Sequence, residues 1–338
     1  MYLSRTPLRI SLFGGGTDYE EYYARKPGAV IGMAINKYIN IAAIRLSSLQ
    51  EYRYRVSYSR LEMVKDIHDI QHDVVRECLK LPGYSSPIDI SVIGDLPSAG
   101  SGLGSSSSFT VGLLNLLKQM YGKPCTKIDL ATCAIHLERN VLKENGGVQD
   151  QLHAAFGGIN RFDFSKDRIQ ITPLQISGET YTEINQSMVL VHTGIGRKST
   201  EIAAEQKRIV RTGRIDKDLS ELYQYVTECV SLLEAGGKSC LQEVGSMLNE
   251  SWAIKRSMSG AISNTDIDDL YAKIIEAGAY GAKLCGAGGG GYFAVLIDPK
   301  KKPELRKKLP GINIFDIQID VHGSTILQRG DQNSRAIS

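Results

Sequence analysis

Apolar and polar positions repeat along the chain with two different periods. Up to about residue 58, short apolar runs such as Ile39, Ile41 and Ala43 are broken by two turn clusters, and 52–58 reads Tyr, Arg, Tyr, Arg, Val, Ser, Tyr. A period of two predicts strands and hairpins there. Over 63–81 the apolar spacing turns helical, and Ile88, Ile90 and Val92 then alternate with Asp89 and Ser91 as a strand. A glycine- and serine-rich loop follows. Behind it Phe109, Leu113, Leu116, Leu117 and Met120 share one face of a helix that should bury one side. A second helix is predicted over 128–143, opened by Thr126 and Asp129 in a capping-box pattern and closed by Asn145, Gly146 and Gly147. A short third helix covers 148–156. The run 188–192 (MVLVH) reads as a buried strand. Helices follow over 200–210, 219–234, 241–257 and 267–278, then a strand over 292–297.

Strands and helices mix without a strict strand-helix-strand rhythm, which predicts an α+β architecture rather than a doubly wound sheet. At 338 residues the length suggests about two domains. The boundary is expected between 170 and 185, giving domains 1–175 and 176–338. The formal net charge of +3 is too small for a nucleic-acid stripe or a polybasic membrane anchor, so any bound anion is held locally. No apolar run approaches the roughly 18 residues that span a bilayer, and the start, MYLSRTPLRI, has no signal-peptide pattern. A cytoplasmic protein is expected. Cys78, Cys125, Cys133, Cys229, Cys240 and Cys285 show no CxxC pair or metal-ligand spacing and read as reduced core residues. The basic run 300–308 reads as a solvated face.

Glycine is in excess, with 34 residues, and the excess is clustered at 14–16, 100–104 and 286–291. The last cluster contains GxGxxG, but the strand-like YFAVLI follows it where a dinucleotide fingerprint requires a helix. The middle cluster, 97–108 (PSAGSGLGSSSS), lies between a strand and the best helix of the chain. Its serines fall where unpaired helix N–H groups and the positive dipole end face outward, which suits an oligophosphate. The Gly-Lys-Ser/Thr ending of a Walker loop is absent, which excludes a P-loop NTPase.

Two carboxylates occupy informative positions. Glu138 falls inside the apolar stripe of the second helix, formed by Ala131, Ala134, Ile135, Val141 and Leu142. A buried carboxylate needs a partner, either Mg²⁺ beside a polyphosphate or a nearby Arg or Lys; the neighbouring Arg139 projects about 100° away on an ideal helix. Asp150 opens the third helix, as a dipole-stabilised acidic residue or as a general base near the phosphate loop. His153 reads as a satisfied structural histidine. His68 and His72 at i, i+4 lack a third metal ligand and read as an exposed helix face.

The segments 6–19 (TPLRISLFGGGTDY), 97–108 and 282–291 (AKLCGAGGGG) resemble, in order and across nearly the whole chain, the three motifs of the GHMP kinases. The resemblance implies a two-domain α+β kinase. Its N-terminal domain would be like the second domain of ribosomal protein S5, its C-terminal domain ferredoxin-like, and ATP and substrate would sit between them. By that likeness Pro97, Gly100, Ser101, Gly102, Leu103, Gly104, Ser105, Ser106 and Ser107 wrap the ATP phosphates. Ser106 and Glu138 would hold Mg²⁺, Asp150 would be the catalytic base, and Arg9 would be the cationic residue near the transferred group. The late loop 286–290 would close over the substrate side, with Gly288 and Gly289 among the substrate-binding residues.

Galactokinases carry Gly-Glu-His-Thr-Asp where this chain has Gly14, Gly15, Gly16, Thr17 and Asp18. Loss of the Glu would open volume at the far end of the sugar and relieve repulsion of a substrate phosphate. The start of the chain is similar to that of the heptose 7-phosphate kinases, which act on the anomeric hydroxyl of D-glycero-D-manno-heptose 7-phosphate. That likeness implies that Asp18 binds sugar hydroxyls and that Arg197 with Lys198 either meets the distal phosphate or forms a solvent-facing basic turn. A kinase for fucose or an unphosphorylated hexose shares the motif. A non-catalytic nucleotide-binding regulator would share the fold, although a pure binder needs no base such as Asp150. The expected partner is a small sugar or sugar phosphate, with neither nucleic acid nor membrane.

Overall fold

The structure, a computed structural model, describes residues 1–81, 83, 84, 86–97, 100–196 and 199–328. In chain order the strands are β1 (Tyr2–Phe13), β2 (Gly28–Arg45), β3 (Tyr54–Ser57), β4 (Leu61–Val64), β5 (Ile88–Gly94), β6 (Ile159–Ser165), β7 (Arg168–Pro173), β8 (Met188–His192), β9 (Ala279–Leu284), β10 (Tyr292–Ile297), β11 (Ile314–Asp316) and β12 (Thr325–Gln328). They form two sheets. One has eight strands in the order β12-β1-β2-β5-β3-β4, with β6 and β7 continuing from β2; the other has the order β11-β8-β10-β9. All pairings are antiparallel except β3 with β5, as an α+β chain with hairpin texture should give.

β2 is long enough to serve two partners besides β1. Its first half pairs with β6 and its second half with β5. The burial follows that split, being continuous over 28–35 and alternating beyond. β10 is apolar throughout because both its faces are covered. Tyr292, Ala294 and Leu296 enter the large core that fills the first domain. Phe293, Val295 and Ile297 enter a second core with Trp252, Ile267 and Ile274.

The helix Ser105–Met120 is buried nearly all round, not on one side, because the first sheet and the helices Lys127–His136 and Gln149–Phe156 enclose it. The stretch 63–81 is not one helix. It holds the end of β4, a 3-10 turn Ile67–Asp69 capped by Asp66, and the helix Asp73–Lys80. The capping box at Thr126 forms, but its α-helix stops at His136 and continues as a π turn, Leu137–Val141. The expected domain boundary falls in the connection between β7 and the helix Gly178–Ser187. The chain later returns across it, since β12 pairs with β1 and adds an edge to the first sheet. The six cysteines are free. In the basic run, Lys302 and Arg306 pair with Asp316 at the surface. Among the described residues no helix is long and apolar enough to cross a membrane.

His153 is fully buried, neither ring nitrogen has a partner among the described residues, and its ring packs against Phe162 at 4.7 Å. It is structural, as expected, but not satisfied. Burial pushes its pKa down to about 3, and the nearby Arg9 charge adds to the shift. An unfolded histidine titrates near pH 6.5, so between those values the unfolded chain binds the extra proton. Folding stability should therefore fall as pH is lowered through about 6.5 toward 5. His153→Leu should flatten that slope in urea unfolding at pH 5, 6 and 7; an unchanged slope would refute the assignment.

Candidate active site

The three glycine segments meet at one cleft of about 940 Å³. Its walls carry the end of β1, the loop 14–18, the phosphate-loop helix tip, the Glu138 turn and the start of the helix Gln149–Phe156. The second domain contributes the helix Cys240–Met258 and the loop at Gly286 and Ala287.

Gly104 caps the helix Ser105–Met120 in the left-handed conformation (φ +74°), and no side chain caps that terminus. Its amide end therefore opens toward the cleft with its dipole uncompensated by a side chain. Leu103 is fully buried and anchors the loop in the core rather than lining the cleft. The loop is also tied to β1. Arg9 donates from its backbone to Leu103 O at 2.9 Å and from its guanidinium to Gly102 O at 2.6 Å.

The same guanidinium grips Asp150 through two bonds, Nε to Oδ1 and NH2 to Oδ2, both 2.8 Å. Arg9 is 5% exposed, whereas the Asp150 side chain keeps 25% of its surface open. The carboxylate is thus fixed in direction yet reachable from the cleft.

Glu138 is 1% exposed and its carboxyl pKa is pushed up to about 7, chiefly by burial and then by the charge of Glu144. Oε2 accepts hydrogen bonds from Ser107 Oγ (2.9 Å) and from Gln151 Nε2. Arg139 does not project away as ideal helix spacing implied; its long side chain reaches back to 3.7 Å from Oε2 while donating to Glu144 O and Gly147 O. Oε1 has no partner. A buried carboxylate oxygen left open beside a helix tip fits a divalent cation. Among the described residues no group of three or more His, Cys, Asp or Glu could hold a metal, so phosphate oxygens would have to complete the shell, as is usual for Mg²⁺. Ser106 is exposed on the cleft wall and Ser107 is the serine bonded to Glu138.

Asp18 is 1% exposed and lines the cleft; burial raises its pKa, with the Asp150 charge adding to the shift. It accepts from Gly16 N, Gln149 N and Gln149 Nε2. A Cβ on Gly147 would lie 1.7 Å from Asp18 Oδ2, so only glycine permits this approach.

Of the other expected contacts, Gly14, Gly15 and Gly16 line the cleft, as do Pro97, Gly100, Ser101, Gly102 and Ser105. Thr17 is buried and bonded to Gly14 O and Ala29 O, which braces the loop from behind. Gly288 and Gly289 pack on Ile262 and are absent from the cleft wall. Arg197 and Lys198 lie outside the described residues. His72 is not on an exposed face; it lies between the rings of Tyr58 and Phe109 and lines the cleft.

Sequence reasoning missed Ser11, Gln149, Lys255 and Lys283, all of which line the cleft. Ser11 Oγ and Gln149 Oε1 are buried and have no partner among the described residues, so both are free to bond a ligand. A usable signal existed for Lys283, an isolated lysine within an otherwise uncharged strand beside the late glycine loop.

Two cores, an uncapped helix tip and an arginine-braced aspartate thus meet at one cleft whose chemistry suits phosphoryl transfer. Residues 65–158 match the family of the GHMP kinases N terminal domain and 219–311 that of the GHMP kinases C terminal. The chain belongs to the GHMP kinases and is an ATP-dependent sugar kinase. It is 30% identical over 324 residues to a D-glycero-alpha-D-manno-heptose 7-phosphate kinase of Campylobacter jejuni, covering 90% of this chain and 92% of that protein. A Pyrococcus furiosus galactokinase is 27% identical, with 88% and 89% covered. The fold matches a crystal structure of a D-glycero-D-manno-heptose 1-phosphate kinase from Bacteroides thetaiotaomicron at TM-score 0.72 and 23% identity, covering 98% of this chain and 100% of that one.

The close approach at Gly147 gives a direct test of Asp18. Gly147→Ala should displace the carboxylate and raise the KM for the sugar by about 10-fold or more, the scale of losing one charged hydrogen bond. An unaltered sugar KM would separate Asp18 from acceptor binding.

Proposed function

We propose that this kinase phosphorylates the anomeric hydroxyl of D-glycero-D-manno-heptose 7-phosphate, giving the 1,7-bisphosphate. The observation that carries the transfer chemistry is the Arg9–Asp150 pair opening on the same cleft as the uncapped helix tip. The choice of a heptose phosphate is supported by the relative in Campylobacter jejuni. It is also supported by the glycine triplet, which leaves Asp18 without a neighbouring loop carboxylate to repel a phosphorylated sugar.

In this reading the backbone amides at the helix tip hold the phosphates of ATP. The base of the nucleotide takes the apolar end of the cleft among Tyr58, His72, Val92, Leu96 and Phe109. Asp18 and Gln149 accept and donate to sugar hydroxyls. Asp150 receives the proton of the attacking hydroxyl, the sugar oxygen bonds to the γ-phosphorus, and the bond to the bridging oxygen breaks to leave ADP. Arg9 aims the Asp150 carboxylate and offsets charge that develops on the transferred group. Glu138 Oε1 and Ser106 are the groups that would hold Mg²⁺, with Ser107 and Gln151 orienting the carboxylate. When bound, the ion neutralises charge on the β- and γ-phosphates.

ADP release measured with heptose 7-phosphate, mannose, fucose and galactose side by side tests the substrate, and preference for an unphosphorylated sugar would overturn it. Asp150→Asn should retain ATP binding while turnover drops roughly 10² to 10⁴-fold, the range for losing a general base; near-normal turnover removes Asp150 from that role. Glu138→Gln should raise the Mg²⁺ concentration at half-maximal rate by about 10-fold or more, on the scale of losing a metal-site contact. An unchanged Mg²⁺ dependence would show that the ion sits elsewhere.

A further inference from the structure

Two lysines from the second domain enter the cleft with no role in the chemistry above. Lys255 comes from the helix Cys240–Met258 and Lys283 from β9. Lys283 is 7% exposed and Lys255 is half-buried. Among the described residues neither has a carboxylate within ion-pair distance. Each has one hydrogen bond, to a backbone carbonyl: Lys283 Nζ to Leu12 O at 2.6 Å, and Lys255 Nζ to Gly286 O. An ammonium has three donors, so each keeps donors unused. Buried cations without anionic partners are costly unless something else supplies the charge.

Their surroundings indicate what that is. Leu12 O lies at the root of the sugar loop 14–18, and Gly286 belongs to the late loop across the cleft. Lys283 therefore braces the root of that loop and Lys255 the late loop facing it, and both line the same cleft as Ser11, whose buried hydroxyl has no partner among the described residues. Burial lowers both pKa values, to about 7 for Lys283, with Lys255 adding to the shift, and to about 8 for Lys255. A dianion placed between them would relieve that strain. The nucleotide's phosphates already have the amides of the helix tip in the first domain; these lysines come from the opposite domain.

We propose that Lys255 and Lys283 form the seat for the phosphate that the acceptor sugar already carries, with Ser11 as a neutral third donor, and so make the enzyme selective for a phosphorylated sugar. The inference rests on the reading of the substrate as a sugar phosphate. It assigns the recognition to Lys255 and Lys283 of the second domain, where the sequence reading offered Arg197 with Lys198 either for that phosphate or as a solvent-facing turn.

The test uses the full chain with heptose 7-phosphate and the unphosphorylated heptose as alternative acceptors, and compares kcat/KM for the two. Lys255→Met keeps the side-chain volume and removes the charge. It should cut the preference for the phosphorylated sugar by 10 to 100-fold, and Lys255→Arg should restore part of it. Lys283→Met provides an independent second variant, and a thermal melt of each confirms that it folds. Equal loss on both acceptors, or a rise in the KM for ATP with the preference intact, would overturn the proposal and assign the lysines to the nucleotide. Protection of the melting temperature by inorganic phosphate supplies a readout without turnover. If the wild-type enzyme ignores heptose 7-phosphate but keeps Lys255-dependent phosphate protection, the substrate assignment fails while the phosphate seat stands. If heptose 7-phosphate is the substrate and Lys255→Met changes neither readout, the seat fails alone.

Discussion

A single buried guanidinium holds this active site together. Arg9 sits on β1 inside the first domain; its guanidinium donates twice to Asp150 and once to Gly102 O, while its backbone N–H donates to Leu103 O. Strand, phosphate loop and acidic helix are thereby referenced to one rigid group. Bidentate contact matters here because it fixes direction as well as distance. A flexible lysine would neutralise Asp150 without setting where its oxygens point. The reach of the glycine loop depends on the same tie, since Gly104 adopts the left-handed turn directly over the Arg9–Asp150 pair, 3.2 to 3.3 Å from where its Cβ would be.

The carboxylates named at the cleft come from the first domain. Asp18, Glu138 and Asp150 stand there beside Arg9 and Arg139, whereas the second domain supplies Lys255 and Lys283, which have no carboxylate within ion-pair distance among the described residues. The domains meet where backbone touches backbone. A Cβ at Gly286 would lie 2.5 Å from Gly102 Cα, and one at Gly102 would lie 2.5 Å from Cys285 O. Glycine at both positions lets the phosphate loop and the late loop close to a distance that side chains forbid. An anion placed between them would meet the helix-tip amides and Arg9 on one side and the two lysines on the other.

Much of the site was legible from local pattern. The serine-rich loop between strand and helix, the carboxylate inside an apolar stripe, and the aspartate opening the next helix each carry a signal within about one helical turn. The buried strands 188–192 and 292–297 were equally plain, because both faces are covered and no polar residue interrupts them. The reading failed where several elements compete for one stretch. Over 63–81 a strand, a 3-10 turn and a helix together imitate a helical period. The all-round burial of the helix Ser105–Met120 was hidden because its small polar residues, Ser107, Ser108 and Thr110, disguise an enclosed face.

The sequence by itself determined the α+β composition, the three glycine segments and the residue types able to handle phosphate, because turns, caps and amphipathic faces are set by neighbours along the chain. Only the tertiary structure decided which serine bonds Glu138, that Arg9 clasps Asp150 across 141 positions, that a glycine at 147 admits Asp18, and that Lys255 and Lys283 have no carboxylate in ion-pair reach among the described residues. Those facts depend on how separate elements pack, and a one-dimensional pattern contains no distance between segments that are far apart along it.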